Sequence, residues 1–322
     1  MYKFEPILKS MLWGGDKIIP YKNLDVKMKT VGESWEISGV KENESVVVSG
    51  TDAGMTLSAL IARDKAALLG QSNYERFGKE FPLLVKFIDA RQDLSIQVHP
   101  NDRLAWERHQ SKGKTEMWYV VDADPGSRLR SGFAKQVTPD EYEKSIEDNT
   151  ITDLLQEYDI HKGDVFFLPA GRIHSIGAGA FIAEIQQTSN ITYRIYDFNR
   201  CDDSGKPREL HTDLSKGAID YTVMPDYRTY YDAKPDTCTQ LVSCRHFTTS
   251  LLRLTKEYGM DIEELDSFIV LICTVGSGTI TDDKGNCMTI HQGESLLVPA
   301  SAKELSILPE NGMELLTAWI TE

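Results

Sequence analysis

The feature that most constrains the fold is a short segment that occurs twice, 130 residues apart. Residues 163–171 read GDVFFLPAG and residues 293–301 read GESLLVPAS, so a glycine, a short apolar run and a Pro-Ala pair recur at one spacing. Proline cannot donate to a strand ladder and therefore ends a strand, and the small residue after it turns the chain. Each copy predicts a turn–strand–turn unit, and the repetition near the end of each half predicts two β domains.

Most of the remaining sequence also reads as short strands with turn residues between them. Runs rich in β-branched and aromatic residues, bounded by Gly, Asp, Pro or Asn, occupy residues 45–48, 83–88, 95–99, 117–121 and 164–168. Residues 57–69 and 138–157 have helical character instead, and the second segment opens with Thr138-Pro139-Asp140-Glu141, which is typical of a helix start. The sequence therefore predicts a mainly β fold with helical insertions in its N-terminal half.

The two halves differ in the residues that could carry chemistry. A chain of 322 residues is long enough for two domains, and we place the boundary in the loop-like stretch from Tyr227 to Asp236. This gives an N-terminal domain, residues 1–230, and a C-terminal domain, residues 231–322. Three residues past the repeat stands His174 in the first copy and Glu304 in the second. We expect the C-terminal domain to lack metal ligands and the functional residues to lie in the first.

Charge and composition exclude several classes of partner. The net charge of −14 disfavours nucleic acid and anionic membranes. No apolar run approaches the roughly 18 residues that span a bilayer, and the first residues lack the apolar core of a signal peptide, so we expect a cytoplasmic protein. The five cysteines are scattered without a CxxC pair, which predicts neither a thiolate zinc site nor a disulfide framework. A phosphorylated small substrate would need a local cluster of Lys and Arg.

Four residues of the first half form a candidate metal site. Because side chains alternate along a strand, Ser95, Gln97 and His99 share one face. Glu116 opens the next predicted strand, and His174 follows the Pro-x-Gly turn. A single histidine beside a proline is more often a surface or capped residue than a ligand. Two imidazoles, one carboxylate and one amide oxygen together suit a divalent ion, zinc first, with an open coordination position.

The spacing of these residues resembles that of a known family. Gly163-x5-Pro169-x-Gly171-x2-His174 resembles the second cupin motif, and Gln97-x-His99 followed by Glu116 resembles the first. Five further stretches look like type I mannose-6-phosphate isomerases, especially their short bacterial form: residues 32–36, 81–86, 97–100, 113–119 and 192–200. The resemblance implies two jelly-roll (cupin) barrels and reversible conversion of mannose 6-phosphate to fructose 6-phosphate.

The resemblance also implies a role for each matching residue. One Zn²⁺ per chain would be held by Gln97, His99, Glu116 and His174. Arg194 would be the catalytic arginine, with Lys114 and Glu184 at other positions of the active site. Substrate would be bound by Glu33, Trp35, Lys86, Ser95 and Arg200, of which Ser95 and Arg200 would contact the phosphate.

Aldose–ketose isomerisation is compatible with these residue types. It moves a proton between C2 and C1 while negative charge develops on the carbonyl oxygen, which gives a cis-enediolate that zinc can stabilise. Arg194 stays protonated and suits the same stabilising role. Glu184, Lys114 and a water on the zinc are all candidates for the base, and the sequence does not choose between them. Lys86, Lys114, Arg194 and Arg200 supply the cationic cluster that a phosphorylated hexose requires.

Two other functions fit a chain of this kind. A sugar-sensing cupin would keep the pocket without turnover, but Arg194, Lys114 and Glu184 disfavour it. Another metal-dependent cupin, such as an oxygenase or an isomerase for a different sugar, would more often begin its first motif with two histidines, whereas Gln97 stands here. Both a monomer and a homodimer are compatible with the sequence.

Overall fold

The computed structural model describes residues 1–201 and 204–320, and its regular structure is mainly β, as predicted. In chain order the strands of these residues are β1 (Ile7–Gly15), β2 (Val31–Val40), β3 (Asn43–Glu44), β4 (Leu83–Asp89), β5 (Ile96–Val98), β6 (Glu116–Ala123), β7 (Arg128–Phe133), β8 (Leu155–Asp159), β9 (Val165–Leu168), β10 (His174–Ile176), β11 (Ala180–Gln187), β12 (Tyr193–Tyr196), β13 (Arg228–Thr229), β14 (Cys238–Ser243), β15 (Thr248–Leu254), β16 (Tyr258–Asp261), β17 (Ile269–Asp282), β18 (Cys287–His291), β19 (Ser295–Val298) and β20 (Glu304–Trp319).

The helices of the same residues all lie before residue 230, apart from one short 3₁₀ turn. They are α1 (Ile18–Tyr21), α2 (Leu57–Asp64), α3 (Ala66–Leu69), α4 (Gln71–Phe77), α5 (Asp102–His109), α6 (Pro139–Glu147) and α7 (Thr212–Lys216), with 3₁₀ turns at Ile151–Leu154 and Glu263–Leu265. None of the helices in the described ranges is long and apolar enough to cross a membrane.

Both predicted helical segments contain helices, but the second prediction was too long. The capping box of Thr138 and Glu141 starts α6 as the sequence indicated. The helix ends at Glu147, and Asn149 has a φ of 55°, a conformation that cannot continue a helix. Residues 155–159 then form β8, because their backbone pairs with β7. Ile151 and Leu155, two of the apolar residues that suggested a longer helix, are therefore buried on a 3₁₀ turn and a strand, and Leu154 beside them is half-buried.

Four of the five predicted strands are present as β4, β5, β6 and β9. The exception is the run at residues 45–48, which forms only single bridges. Val46 pairs with Thr56 and Val47 pairs with Phe4. Since these two partners come from different segments, no continuous ladder can grow along this run.

The strands form three antiparallel sheets in the described part of the chain. The first sheet has the order β1-β2-β4-β11-β6-β9-β13, with β3 beside β2. The second sheet has the order β12-β5-β10-β7-β8, and the third has β14-β15-β20-β17-β18, with β16 beside β20 and β19 beside β17. Strand pairing does not close any of these sheets into a barrel within the described residues. The arrangement as two jelly-roll barrels and the division at residues 230 and 231 stay predictions.

The repeated segment adopts the same local structure in both halves. Gly163 and Gly293 precede β9 and β19 with φ of 90° and 82°, values that favour glycine. The amide of Gly163 donates to the carbonyl of Val120 at 2.8 Å, and the amide of Gly293 donates to the carbonyl of Cys273 at the same distance. The predicted turn–strand–turn unit is therefore present twice, attached in the same way to β6 and β17.

Both faces of the first sheet are buried, but one is apolar and the other carries polar side chains. On β11, Ala183 and Ile185 join a large apolar cluster that also contains Leu251 and Leu316 of the third sheet. Glu184 lies between them in sequence and points to the opposite face, where the indole of Trp118 donates to it. The third sheet therefore supports the first sheet from behind, and the polar side chains are presented on the other face.

A buried hydrogen bond connects the first and third sheets. The hydroxyl of Tyr119 on β6 donates to Glu314 Oε1 at 2.8 Å, and both residues are buried. Glu314 also accepts from Thr274 Oγ1 at 2.8 Å and from Arg253 Nε at 2.9 Å. These three donors satisfy a carboxylate that would be costly to bury alone.

We expect Tyr119→Phe to lower the free energy of unfolding by about 1 to 2 kcal/mol, because it removes one donor from a buried carboxylate. Urea denaturation followed by tryptophan fluorescence measures the change. Tyr230→Phe is the matched control, since Tyr230 is 73% exposed and its hydroxyl also donates to a carboxylate, that of Asp226. The control should change stability by less than about 0.5 kcal/mol. Equal losses in the two variants would contradict the role given to the buried contact.

Candidate metal centre and active site

The candidate ligands come from the two sheets of the N-terminal part. Glu116 is the first residue of β6 in the first sheet, while His174 is the first residue of β10 in the second. Gln97 lies on β5 directly opposite His174 in the strand register. His99 follows β5 by one residue, and Pro100 holds this residue extended. Strand ends from facing sheets therefore bring the four predicted ligands together.

Three of these side chains form a buried cluster that could hold a metal ion. His99 Nε2 lies 3.5 Å from Glu116 Oε2, and His174 Nε2 lies 3.3 Å from Glu116 Oε1. One ligand atom from each residue lies within 4.8 Å of the others, and the side chains are at most 2% exposed. Nitrogen and oxygen donors at such spacing suit a divalent ion of the zinc type.

The hydrogen bonds of the two imidazoles orient their ligand atoms. Nδ1 of His99 donates to the carbonyl of Ile191 at 2.9 Å, and Nδ1 of His174 donates to the carbonyl of Arg172 at 2.8 Å. This assignment of tautomers follows from the carbonyl acceptors. His99 Nε2 and Glu116 Oε1 are buried without a hydrogen-bond partner among the described residues, and Glu116 Oε2 faces the ammonium of Lys114 at 3.1 Å. A bound cation would satisfy these atoms, so the residues fit a metal.

Gln97 completes the predicted ligand set at the edge of the cluster. Its Nε2 lies 3.3 Å from His174 Nε2, and its Oε1 accepts from Ser95 Oγ at 3.4 Å. The two ends of a side-chain amide have nearly the same shape, so rotation by half a turn would exchange them. After that rotation the amide oxygen would lie where a cation needs a donor.

Burial dominates the proton equilibria of the cluster. It raises the pKa of Glu116 to about 7, although the ammonium of Lys114 acts in the opposite direction. Burial lowers the pKa of His174 to about 3, and it lowers the pKa of His99 well below its ordinary value. Both imidazoles are therefore neutral at pH 7, which is the state that binds metals.

A cavity of about 310 Å³ lies against the cluster, on the side of Gln97 and Lys114. Seven of the residues singled out in the sequence line it: Glu33, Lys86, Ser95, Gln97, Lys114, Glu184 and Arg194. Several lining residues were not assigned a role from the sequence, among them Asn190, Thr192 and Arg208. Trp35 and Arg200 do not line this cavity.

Buried ion pairs connect the cluster to the wall of the cavity. Lys114 Nζ lies 3.1 Å from Glu116 Oε2, and Lys86 Nζ lies 3.3 Å from Glu184 Oε1. Burial alone would lower the pKa of Lys86, but the carboxylates of Glu33 and Glu184 outweigh burial and raise it. Burial alone would raise the pKa of Glu184, but Lys114 and Lys86 outweigh burial and lower it. Lys86 is therefore a cation and Glu184 an anion at neutral pH.

Trp35 lies behind the wall of the cavity, and its predicted contact with substrate stays a prediction. Its side chain is 3% exposed, and its indole N–H donates to Glu33 Oε2 at 2.5 Å. The ammonium of Lys86 lies 5.0 Å from the centre of its ring. The tryptophan therefore fixes Glu33 and Lys86 from behind the cavity wall.

The arginines differ in their access to the cavity. Arg194 on β12 lies opposite Gln97 in the strand register, and its Nη1 donates to the carbonyl of Glu209 at 2.9 Å. Burial and the neighbouring charge of Arg208 lower the pKa of Arg194. Arg200 donates to Asp197 Oδ1 at 2.5 Å and lies outside the cavity lining. Arg208 lies in a loop without periodic pattern, so sequence reasoning had no signal for it.

Comparison with known proteins connects this site to a family. Residues 1–118 match the family described as phosphomannose isomerase type I, catalytic domain. The chain is 31% identical over 307 residues to the mannose-6-phosphate isomerase ManA of Bacillus subtilis (strain 168), with 94% of each chain covered. It is 33% identical over 296 residues to the mannose-6-phosphate isomerase of Streptococcus mutans, with 91% of this chain and 90% of that one covered. The crystal structure of the mannose 6-phosphate isomerase from Bacillus subtilis superimposes with a TM-score of 0.88 at 27% identity, over 98% of each chain.

Fold and site together define a mainly β protein with a candidate metal centre beside a cavity rich in charged side chains. The similarity to the two bacterial relatives extends over more than nine-tenths of the chain. The chain belongs to the type I mannose-6-phosphate isomerase family. The family and the enzyme class predicted from the sequence motifs are thereby confirmed.

The pKa values of the cluster predict how metal binding depends on pH. Glu116 must be ionised to bind a cation, and with its pKa at about 7 it carries a proton below that pH in the metal-free protein. Zinc binding should therefore release more protons per ion from this carboxyl group at pH 6 than at pH 8. The histidines add nothing, because they are neutral at both pH values. Calorimetric titration in two buffers of different ionisation enthalpy measures this release.

The variant Glu116→Gln is the control for this titration, because a glutamine has no proton to release. It should bind zinc more weakly, with proton release near zero at pH 6. Equal release at pH 6 and pH 8 in the unmodified protein, or full release in the variant, would contradict the assignment.

Proposed function

We propose that this chain is a zinc-dependent aldose–ketose isomerase that interconverts mannose 6-phosphate and fructose 6-phosphate through a cis-enediolate. The observation that carries the proposal is the buried cluster of His99, Glu116 and His174 beside a cavity lined by Lys86, Arg194 and further charged groups. The names of the bacterial relatives support the same reaction. One Zn²⁺ per chain, held by the cluster with Gln97, would polarise the sugar oxygens and stabilise the negative charge that develops on them.

The remaining residues of the cavity would bind and orient an open-chain sugar phosphate. Glu33 and Lys86 are held against each other, with Nζ 3.7 Å from Oε2, and offer an acceptor and a donor to sugar hydroxyls. Arg194 remains protonated at neutral pH even with a lowered pKa. Its guanidinium can stabilise the enediolate without a proton transfer. Ser95 lies on the same wall, beside Gln97.

Glu184 is the best candidate for the base. It is ionised at neutral pH, because Lys114 and Lys86 lower its pKa, and it lines the cavity. Lys114 is a poorer base, since its ammonium is paired with Glu116 at 3.1 Å and has no lone pair while protonated. Glu184 would take the proton from one of the two carbons and return it to the other. Trp118 Nε1 donates to Glu184 Oε2 at 3.0 Å and fixes the direction of this carboxylate.

Several finer assignments belong to the same proposal. The first and second sheets would form the wall of one jelly roll and the third sheet that of another, which places the domain division near residue 230. Cytoplasmic location and a monomeric or homodimeric state stay predictions. The C-terminal domain would act as support, since the large apolar cluster joins the third sheet to the back of the first.

Metal removal tests the proposed reaction and its cofactor together. We expect formation of fructose 6-phosphate from mannose 6-phosphate by the protein as purified, loss of this activity after chelation and its recovery on addition of zinc. A coupled assay for fructose 6-phosphate measures all three. Full activity after verified metal removal would contradict the metal dependence. Binding of mannose 6-phosphate without turnover in any sample would instead favour the sugar-sensing function.

Substitution of Glu184 tests the assignment of the base. Glu184→Gln keeps the size of the side chain but removes the lone-pair basicity, so kcat should fall by about 10²- to 10⁴-fold with little change in KM. Exchange of the substrate's C2 proton with deuterated solvent should be lost in parallel. Lys114→Met should retain measurable exchange if Lys114 is not the base. The control is Glu107→Gln on α5, whose side chain is 53% exposed.

The zinc content of each variant must be measured, because Lys114 contacts the ligand Glu116. Wild-type exchange in Glu184→Gln together with lost exchange in zinc-replete Lys114→Met would transfer the role of the base to Lys114.

A further inference from the structure

Three guanidinium groups gather around a single carboxylate next to the candidate active site. Asp197 is 5% exposed and accepts from Arg200 Nη2 at 2.5 Å and from Arg208 Nε at 2.7 Å. Its Oδ1 also accepts from Arg208 Nη2. Arg194 is the third member, and its charge interacts with that of Arg208. Three cations surround Asp197, and the carboxylate of Glu209 also interacts with Arg194, so the described residues of this cluster keep an excess of positive charge in a chain whose net charge is −14.

This local charge matches one common ligand group. A phosphate monoester carries a charge of about −1.5 to −2 at neutral pH and accepts several hydrogen bonds, for which planar guanidinium forks are well suited. The carboxylates that line the same cavity, Glu33 and Glu184, already have Lys86 as a partner. Among the charged side chains of this cavity, the arginines are therefore the ones whose positive charge is not fully compensated by nearby carboxylates.

The arginines of the cluster have unequal access to a ligand. Arg194 and Arg208 line the cavity, whereas Arg200 does not. Arg200 donates through Nε to the carbonyl and through Nη2 to the carboxylate of the same residue, Asp197. It therefore fixes Asp197. Arg208 uses Nε and Nη2 for its pair with Asp197, and no hydrogen bond joins its Nη1 to another of the described residues, so this side of the guanidinium faces a ligand.

The backbone after Arg208 is tied to the strand that carries Arg194. The amide of His211 donates to the carbonyl of Arg194 at 2.6 Å, and His211 Nδ1 accepts from the amide of Arg194 at 3.1 Å. Arg194 Nη1 donates to the carbonyl of Glu209. These bonds hold the loop across the end of β12, so that Arg208 is positioned before a ligand arrives and little ordering is needed on binding.

We infer that Arg208 binds the phosphoryl group of the sugar phosphate and that Arg200 only positions it through Asp197. The inference rests on the proposed function for the identity of the substrate, and it moves the phosphate contact from Arg200, where the family resemblance put it, to Arg208. Arg194 is then free to stabilise charge at the reacting carbons. Binding of the phosphoryl group by Arg208 contributes equally to the ground state and the transition state, which lowers KM.

Arg208→Gln tests the inference with two readouts. The KM for mannose 6-phosphate and the inhibition constant of inorganic phosphate should both rise by about 10- to 100-fold, the range expected for a lost charge-assisted hydrogen bond. The value of kcat at saturation should change by less than about threefold, because the reacting groups remain. Arg208→Lys keeps the positive charge but lacks the planar guanidinium, so its KM and its inhibition constant for phosphate should lie between those of the wild type and of Arg208→Gln. Arg103→Gln, at an 80% exposed site on α5, is the control for the change in net charge.

Three results would overturn the inference. Unchanged phosphate inhibition and KM in Arg208→Gln would do so, as would a larger effect on both in Arg200→Gln than in Arg208→Gln. A loss confined to kcat with reduced zinc content would show a structural role instead. Calorimetric titration of the zinc-loaded protein with inorganic phosphate needs no turnover. If the wild type binds phosphate through Arg208 but does not isomerise mannose 6-phosphate, the proposed function fails while the phosphate site stands.

Discussion

The carboxylate of Glu116 is the constraint on which the rest of the site depends. It is fully buried between two imidazoles and one ammonium, which lies 3.1 Å from its Oε2, and its Oε1 has no hydrogen-bond partner among the described residues. A charge in such a place is costly unless a cation compensates it, and burial accordingly raises its pKa to about 7. The neutral imidazoles of His99 and His174 cannot supply that compensation. The ammonium of Lys114 compensates the negative charge of Glu116 in part, and a divalent ion at the imidazole nitrogens would complete this compensation.

The first sheet stabilises this buried charge because its two faces differ: one face packs against the third sheet, and the other carries the charged side chains. Alternation along β4, β6 and β11 sends apolar side chains to one face of the first sheet, where the third sheet covers them. The same alternation sends Lys86, Glu184 and Glu116 to the opposite face, toward the second sheet. Each buried charge therefore stands on a strand whose other face is fixed by close packing, so the ion pairs have little freedom to relax. The C-terminal half, whose repeat has Glu304 where the first repeat has His174, would in this proposal serve the site by holding this sheet in place.

Sequence reasoning succeeded where a period or a fixed motif carried the information. Period-two alternation placed Gln97 on the same face as Ser95, and the repeated glycine–strand–proline unit predicted β9 and β19 together. It failed where only tertiary contacts decide: Leu155 and its neighbours have an apolar pattern that suits a helix, but pairing with β7 makes them a strand. Arg208 was missed for a related reason. Loop residues have no periodicity, and its access to the cavity follows from hydrogen bonds of residues 209–211 to β12.

The contrast between an acidic chain and a cationic cavity has a consequence for specificity. With a net charge of −14, the outer surface repels anions in general, and only a locally focused positive charge can bind one. Asp197 allows three guanidiniums to stay close together in the absence of ligand, since it offsets part of their mutual repulsion. A phosphate dianion would offset the positive charge that remains, whereas a neutral sugar would leave that charge unpaired. If Arg208 binds the phosphoryl group as inferred, the arrangement would discriminate for phosphorylated substrates both by attracting them and by penalising the binding of sugars that lack the phosphoryl group.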